Sequence, residues 1–513
     1  MILIFNVIEN CKEFVKLVLR SDYILFDLYL TEIRIQYWSE SIRFYIQDLQ
    51  NMFKSLVYSS IKGININRYF TTLHGQLFTS QVHVANLTNG IRVATQETDS
   101  PLACTSLFVK TGSRFENACN NGITHFIEHM AYQGFNTLSK SNLQEYISSS
   151  GTKLTALTTR EYQVFTAISS AEHAPECVNI LIKLLIDLQL CDSDIELQKE
   201  YVYSEALDED KNPKSVVFDY LNQTAFQGTP LAQSVIGPSS IRLTFDRNTL
   251  CDYIEKNYHP HRLLFVSSGC TSHLSNMCEI NNRLGNLSPC VSECAADYAP
   301  KRFTGSSIIY RDDSMPYAHV ALAVEVPGYD SSEYLPLFVA SCLTGSWERT
   351  QGGTDRHGSP LARAVATSKL CEKFESFYIA YQDTGLWGIY FIGKRIGLDD
   401  MIYNIQDQWM QMCTTISKSD VQRAINVAKL KLANNRAGVI RSCYDIGLQL
   451  LHKPNWKSLG DLFNDINNLS HKEIKNLGHK YIYDKCPVLA AIGPTETLPD
   501  YNRLRAGMYW LRM

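Results

Sequence analysis

The sequence predicts an α+β protein in which one layered plan is used twice. Strand-forming patterns between residues 82 and 165 flank a short helical stretch and then give way to helical patterns up to about residue 256. After a Pro-, Ser- and Cys-containing stretch at 287–301 the same order starts again, with strand patterns at 307–311 and 319–326 and an apolar helix at 335–344. A strand pair at 374–392 and helices from 399 onward follow. The 513 residues are 45% hydrophobic, which suits roughly two to four globular domains with sizeable cores.

In the first round, alternation at 82–85 and 91–94 around Asn89 and Gly90 reads as a hairpin with an Asn-Gly turn. Residues 102–110 make a third strand. A helix follows Asn120, Asn121 and Gly122, and another begins near Ser141. The run 152–165 is rich in strand formers.

Composition excludes several classes of function. A net charge of −4 argues against nucleic acid as a partner. No uninterrupted apolar run reaches the length of a membrane span, so any membrane association is expected to be peripheral. The 15 cysteines are odd in number and form no C-x-x-C pair, and Cys290 and Cys294 read as thiols in a linker. This points to reduced thiols.

The N-terminus has two unlike parts. Residues 1–51 mix acids with aromatic and aliphatic residues and form an unassigned extension. Residues 52–70 contain no acid, while Lys54, Lys62 and Arg68 alternate with Ser55, Ser59 and Ser60, the composition of a mitochondrial presequence. Arg68, Tyr69 and Phe70 resemble a processing signal, which would start the mature protein near Thr71.

The most specific feature is H-x-x-E-H at His125, Glu128 and His129, the inverted zinc-protease motif. On a helix, positions i and i+4 lie one above the other, so both imidazoles can converge on one metal ion with Glu128 on the same side. A zinc ion held by three protein ligands leaves a position for water, and a neighbouring carboxylate can act as general base. Glu128 is the candidate. The third ligand is expected on a second helix, in the acid-rich run 194–210, where Asp194, Glu200, Glu205, Asp208, Glu209 and Asp210 all qualify by residue type.

Beyond this motif, long stretches of the chain are similar to the mitochondrial processing peptidase branch of the pitrilysin-like inverzincins. They include Thr111-Gly-Ser-Arg114-Phe-Glu116, Thr159-Arg160-Glu161, Asp219-Tyr-Leu, residues 225–234, Asp383-Thr-Gly-Leu-Trp-Gly388 and the tail 500–512. The resemblance runs from about Thr72 to the end and implies the pitrilysin/processing-peptidase fold, two homologous αββα-type layer domains enclosing a chamber. These would span 71–290, with the zinc site, and 305–513, without one, joined by a linker at 291–304. In this branch the ligand glutamate follows the second histidine at a spacing that lands on Glu205.

The resemblance further implies a zinc metalloendopeptidase subunit of β type that removes mitochondrial targeting presequences in the matrix. Its partners would be presequence-bearing precursors and a glycine-rich α-type subunit. Phe303-Thr-Gly-Ser, residues 366–371 and the tail look more like core protein 1 of ubiquinol–cytochrome c reductase, respiratory complex III, whose neighbours are core protein 2 and the other complex III subunits. That makes the alternative a non-catalytic structural core subunit, or one polypeptide with both roles. An extended substrate would add to a sheet edge at Thr155, Ala156 and Leu157. Substrate arginine is read in the family by a carboxylate pair, of which Asp219 remains while Ser215 stands at the companion position. Gln198 stands where the family has a supporting glutamate, which weakens the shell around the metal.

Overall fold

The computed structural model describes residues 81–269, 271–288, 302–351 and 356–509. The extension 1–51, the segment 52–70, Thr71, and the pair Cys290 and Cys294 lie outside the described residues.

Each half is a six-stranded mixed sheet with helices. In the first half, strands β1 (Val82–Asn86), β2 (Arg92–Glu97), β3 (Leu102–Val109), β4 (Lys153–Thr158), β5 (Gln163–Ser170) and β6 (Leu263–Gly269) lie in the order β1-β2-β6-β3-β5-β4. In the second, β7 (Ser307–Arg311), β8 (Ala318–Val326), β9 (Ser346–Glu348), β10 (Cys371–Ala380), β11 (Gly385–Gly393) and β12 (Val488–Gly493) lie in the order β7-β12-β8-β11-β10-β9. Five strands correspond between the halves. In each, the last strand returns after the helices and inserts beside an early one, parallel to it (β6 to β2, β12 to β7) and antiparallel to the next (β6 to β3, β12 to β8). The α+β class with a repeated layer plan is therefore present. Both inserted strands depart from the sequence expectation, because Leu263–Gly269 and Val488–Gly493 lie in regions read as helical or unassigned. They are short, wholly apolar or small runs without alternation, a pattern that suits a buried helix as well as a two-sided strand.

The helices of the first half longer than four residues are α1 (Ile123–Met130), α2 (Lys140–Ser150), α3 (Ala174–Ile186), α4 (Asp192–Glu209), α5 (Pro213–Ala225), α6 (Arg247–Asn257) and α7 (His273–Leu284). In the second half α8 (Tyr334–Thr344) stands where α1 stands in the first, and α9 (Pro360–Ser368), α10 (Leu398–Thr414), α11 (Lys418–Asn434) and α12 (Val439–His452) follow. Three further helices, Leu459–Asn467, His471–Tyr481 and Tyr501–Gly507, complete it.

The two halves exchange helices. One face of the first sheet packs on its own α3, through Leu107, Val109, Phe165 and Ala167 against Cys177, Val178 and Leu181. The opposite face, through Ala94, Cys104, Phe108, Val164, Leu264 and Val266, is covered by α12 of the second half with Cys443, Ile446, Leu450 and Leu451. Reciprocally, α5 of the first half lays Val217, Leu221 and Ala225 on Ala321, Ala323, Leu386 and Tyr390 of the second sheet. A strand covered on both faces buries every residue, which is why β3 is buried from Ala103 to Val109 without alternation.

The close approach of α12 depends on Gly447, where an added Cβ would stand 2.1 Å from the Phe108 ring. Alanine normally gains about 1 kcal/mol over glycine inside a helix, whereas overpacking a tight contact costs about 1 to 3 kcal/mol. Gly447→Ala is thus expected to lower the melting temperature, and a melt equal to or above wild type would show that α12 can lift off β3 without cost.

Candidate metal and catalytic site

Helix α1 is set by its start. Gly122 adopts φ 95°, in the left-handed region, and a Cβ there would meet Ile236 O at 2.4 Å, so only glycine fits. The buried Glu116 carboxylate caps the first turn from outside the helix. Its Oε2 accepts Gly122 N at 2.7 Å and Asn121 Nδ2 at 2.8 Å, and its Oε1 accepts Thr124 N at 2.9 Å. Ile123, Phe126, Ile127 and Met130 form the buried stripe, with Phe126 edge-on to Phe245 at 5.6 Å. That leaves His125, Glu128 and His129 on the opposite face, toward α4. On α4 the buried positions are Ile195, Gln198 and Val202, and Glu205 continues the same stripe one turn on.

The structure brings His125, His129 and Glu205 together, with one ligand atom of each within 4.8 Å of the others. Glu205 Oε2 accepts from His129 Nε2 at 2.7 Å and lies 3.3 Å from His125 Nε2. The two imidazole rings are 4.9 Å apart at 76°. Glu128 Oε2 lies 3.5 Å from His125 Nδ1. Burial alone would lower the His125 pKa, but the Glu128 and Glu205 carboxylates outweigh it and raise it to about 9. The same imidazoles hold the Glu205 carboxyl well below the usual carboxylate range.

These residues fit a divalent metal ion. His125 Nε2 is buried yet makes no hydrogen bond, because its distance to Glu205 is not matched by alignment. Two imidazoles and one carboxylate are also a donor set suited to such an ion. Among the described residues no other such group of three occurs, and α8 offers only Cys342.

The remaining sequence candidates fall elsewhere. Gln198 is buried on α4. Ala156 and Leu157 lie on β4, which among the described residues pairs only with β5 and closes one end of the first sheet, and Leu157 is 45% exposed. Tyr132 OH, just past α1, donates to Thr155 O at 3.2 Å and ties this edge to the metal helix. Asp219, expected to read substrate, is already engaged by Arg160 Nη2 at 2.5 Å and Ser234 Oγ at 3.2 Å. Ser215, the neutral companion, donates to Glu209 Oε1, so a carboxylate from the end of α4 reaches this neighbourhood after all. Sequence reasoning counted Glu209 only among the candidate third ligands, and it gave Glu116 no role, because a cap reaching six and eight residues forward has none of the local spacing of an ordinary capping box.

A model of the insulinase family, peptidase family M16, matches residues 92–239, the span that holds the whole constellation. A model of the M16 inactive domain matches residues 244–428. The chain belongs to peptidase family M16. Among its M16 relatives, mitochondrial cytochrome b-c1 complex subunit 1 of Homo sapiens is 37% identical over 436 residues, 85% of this chain and 91% of the relative. Mitochondrial-processing peptidase subunit beta of Bos taurus is 36% identical over 432 residues, 84% of this chain and 88% of the relative. A solved structure of complex III2 from Candida albicans with Inz-5 bound contains a chain that superposes with a TM-score of 0.76 at 24% identity, covering 84% of this chain and all of that one. This last likeness bears on the fold alone. No helix among the described residues is long and apolar enough to cross a membrane.

Proposed function

We propose that this M16 chain is a zinc-dependent metalloendopeptidase subunit of β type. In this reading it cleaves mitochondrial targeting presequences in the matrix together with an α-type subunit, and it can also stand as core subunit 1 of complex III. The observation that carries the peptidase reading is the convergence of His125, His129 and Glu205 with a buried, unbonded His125 Nε2 and Glu128 alongside. His125, His129 and Glu205 would hold the zinc. When bound, zinc supplies Lewis acidity that lets a water molecule attack a peptide carbonyl at neutral pH. Glu128, on the same helix face, takes the proton from that water and returns it to the leaving amine. The edge of β4 at Ala156 and Leu157, unpaired among the described residues, offers backbone groups to an extended peptide and fixes its register without demanding a sequence. Asp219, with Glu209 beside Ser215, supplies negative charge for a basic substrate, tempered by the Arg160 already bound to Asp219.

The structural reading is favoured by a specific feature as well. Gln198 is a neutral group on the buried stripe of α4 that carries Glu205, so it adds no charge to the metal's surroundings. Mitochondrial residence, with presequence 52–70 and mature domains at 71–290 and 305–513, belongs to both readings. The deciding experiment is zinc analysis and presequence-peptide cleavage on the chain co-expressed with its α-type partner, or with core protein 2. About one zinc per chain and cleavage are expected. A complex that assembles but holds no zinc and cuts nothing would leave the core-subunit role alone.

A further inference from the structure

Three of the family-like segments outside the metal helix, 111–116, 159–161 and the one that begins at Asp383, are far apart in sequence yet meet at one junction between the halves. Arg114 Nη1 donates to Glu161 Oε1 at 2.5 Å and to Asp383 Oδ1 at 2.8 Å, while its Nη2 donates to Asp383 Oδ2 at 3.0 Å. Asp383 sits in the β10–β11 turn of the half that has no ligands. The preceding Gln382 donates its backbone N–H to Glu161 Oε2 at 2.8 Å, so the turn is held by both its side chain and its backbone. The Arg114 and Glu161 side chains are 3% and 5% exposed. Arg114 N also donates to Arg160 O at 2.8 Å, in the β4–β5 turn of the first half. The corresponding hairpin turns of the two halves thus clamp one arginine between them.

Arg114 lies in the short turn Ser113–Phe115, and Glu116, its immediate C-terminal neighbour, closes that turn through Glu116 N and Ser113 O at 3.3 Å. Glu116 is the carboxylate that caps Gly122 and Thr124, and His125 is the next residue. The path from Asp383 to the first turn of α1 is therefore continuous in hydrogen bonds and backbone. A bidentate guanidinium–carboxylate pair fixes direction as well as distance, because both groups are planar forks.

Taking the proposed zinc site as given, we infer that Asp383 is a positioning residue for it: the ligand-free half fixes the helix that carries His125 and His129, through Arg114 and the Glu116 cap. This gives the second half a role in the chemistry beyond that of a wall. Removing the Asp383 charge takes from the buried Arg114 its bidentate partner, and the turn carrying Glu116 shifts with it.

The test is Asp383→Asn in the full chain with its α-type partner, read by backbone hydrogen exchange. Exchange across 116–130 is expected to rise about tenfold, as for the loss of one charge-assisted contact, while the α3 and α10 peptides stay at wild-type rates. In cleavage of a presequence peptide, kcat should fall with KM little changed, and cobalt(II) bound in place of zinc should show an altered d–d spectrum. Asp383→Glu should recover part of both effects. A folded Asp383→Asn chain with wild-type exchange over 116–130 overturns the inference whether or not wild type cleaves, and faster exchange everywhere does so equally. Wild type that binds no cobalt sinks the metal reading instead and leaves the exchange result to decide the coupling. Should Asp383→Asn not fold, Arg114→Lys, which keeps the charge and loses the fork, takes its place, and failure of both to fold would make the junction a folding element and refute the positioning role.

Discussion

Glu205→Gln is expected to lower metal affinity at least about 100-fold, beyond the 10- to 100-fold typical of losing an outer partner, because it removes one of the three proposed ligands and the only formal negative charge among them. The amide keeps the shape of the side chain but cannot neutralise a divalent ion. Its oxygen could still accept from His129, so the local fold should survive, and Glu205 is half-exposed on α4. Metal content after dialysis against a weak chelator measures the effect. Equal content in wild type and variant would remove Glu205 from the site. The metal-free proteins offer an independent check. His125 is raised from its ordinary 6.5 to about 9 in part by Glu205, so its stabilising contribution is complete below pH 6.5 and is lost as pH rises through about 9. Without the Glu205 carboxylate that contribution shrinks. The melting temperatures of the two metal-free chains should therefore differ most between about 4.5, the ordinary value of the Glu205 carboxyl, and 6.5, and converge above 9.

What the sequence made legible follows from how local each feature is. His125, Glu128 and His129 lie within one helical turn, so spacing alone placed them on one face. Glu205 was singled out by the family resemblance alone, because several acids nearby are equally plausible by type, and its place on the stripe of Ile195, Gln198 and Val202 came only with the structure. Strands that alternate or carry a turn signal, such as β1 and β2 around Asn89 and Gly90, were readable. β6 and β12 were not, since burial on both faces erases alternation and leaves a short apolar run with no period to detect. Pairings of high sequence separation were hidden for a different reason. Arg114 and Asp383 are 269 residues apart, and nothing in either segment states that the other is its partner. Resemblance marked both segments without saying what they do. The helix exchange was equally invisible, because α5 and α12 carry ordinary apolar faces and only the packed structure shows that each lies on the other half's sheet.

Glu128→Gln should separate holding the metal from using it. Glu128 is not one of the three converging donors, and its carboxylate lies 3.5 Å from His125 Nδ1, while Glu205 is nearest the other ring nitrogen, Nε2. Glutamine preserves length, shape and a hydrogen-bonding oxygen, so α1 keeps its register and its buried stripe, and metal content should match wild type. What is lost is proton transfer, since an amide cannot accept a proton at neutral pH. A positioned general base contributes roughly 100- to 10,000-fold to rate, and a loss of that size in kcat is expected, with KM nearly unchanged because the proposed substrate contacts, the β4 edge and the acids near Asp219, are left intact. The measurement is single-turnover cleavage of a presequence peptide by the heterodimer, with zinc quantified in the same sample. Activity within tenfold of wild type would assign the base elsewhere. Lost zinc would instead make Glu128 a support for His125, whose Nδ1 it faces. If the wild-type heterodimer carries zinc and yet cuts no presequence, comparing it with Glu128→Gln has no rate to report, and the retained site then belongs to a complex III core subunit that keeps the geometry of a peptidase without its turnover.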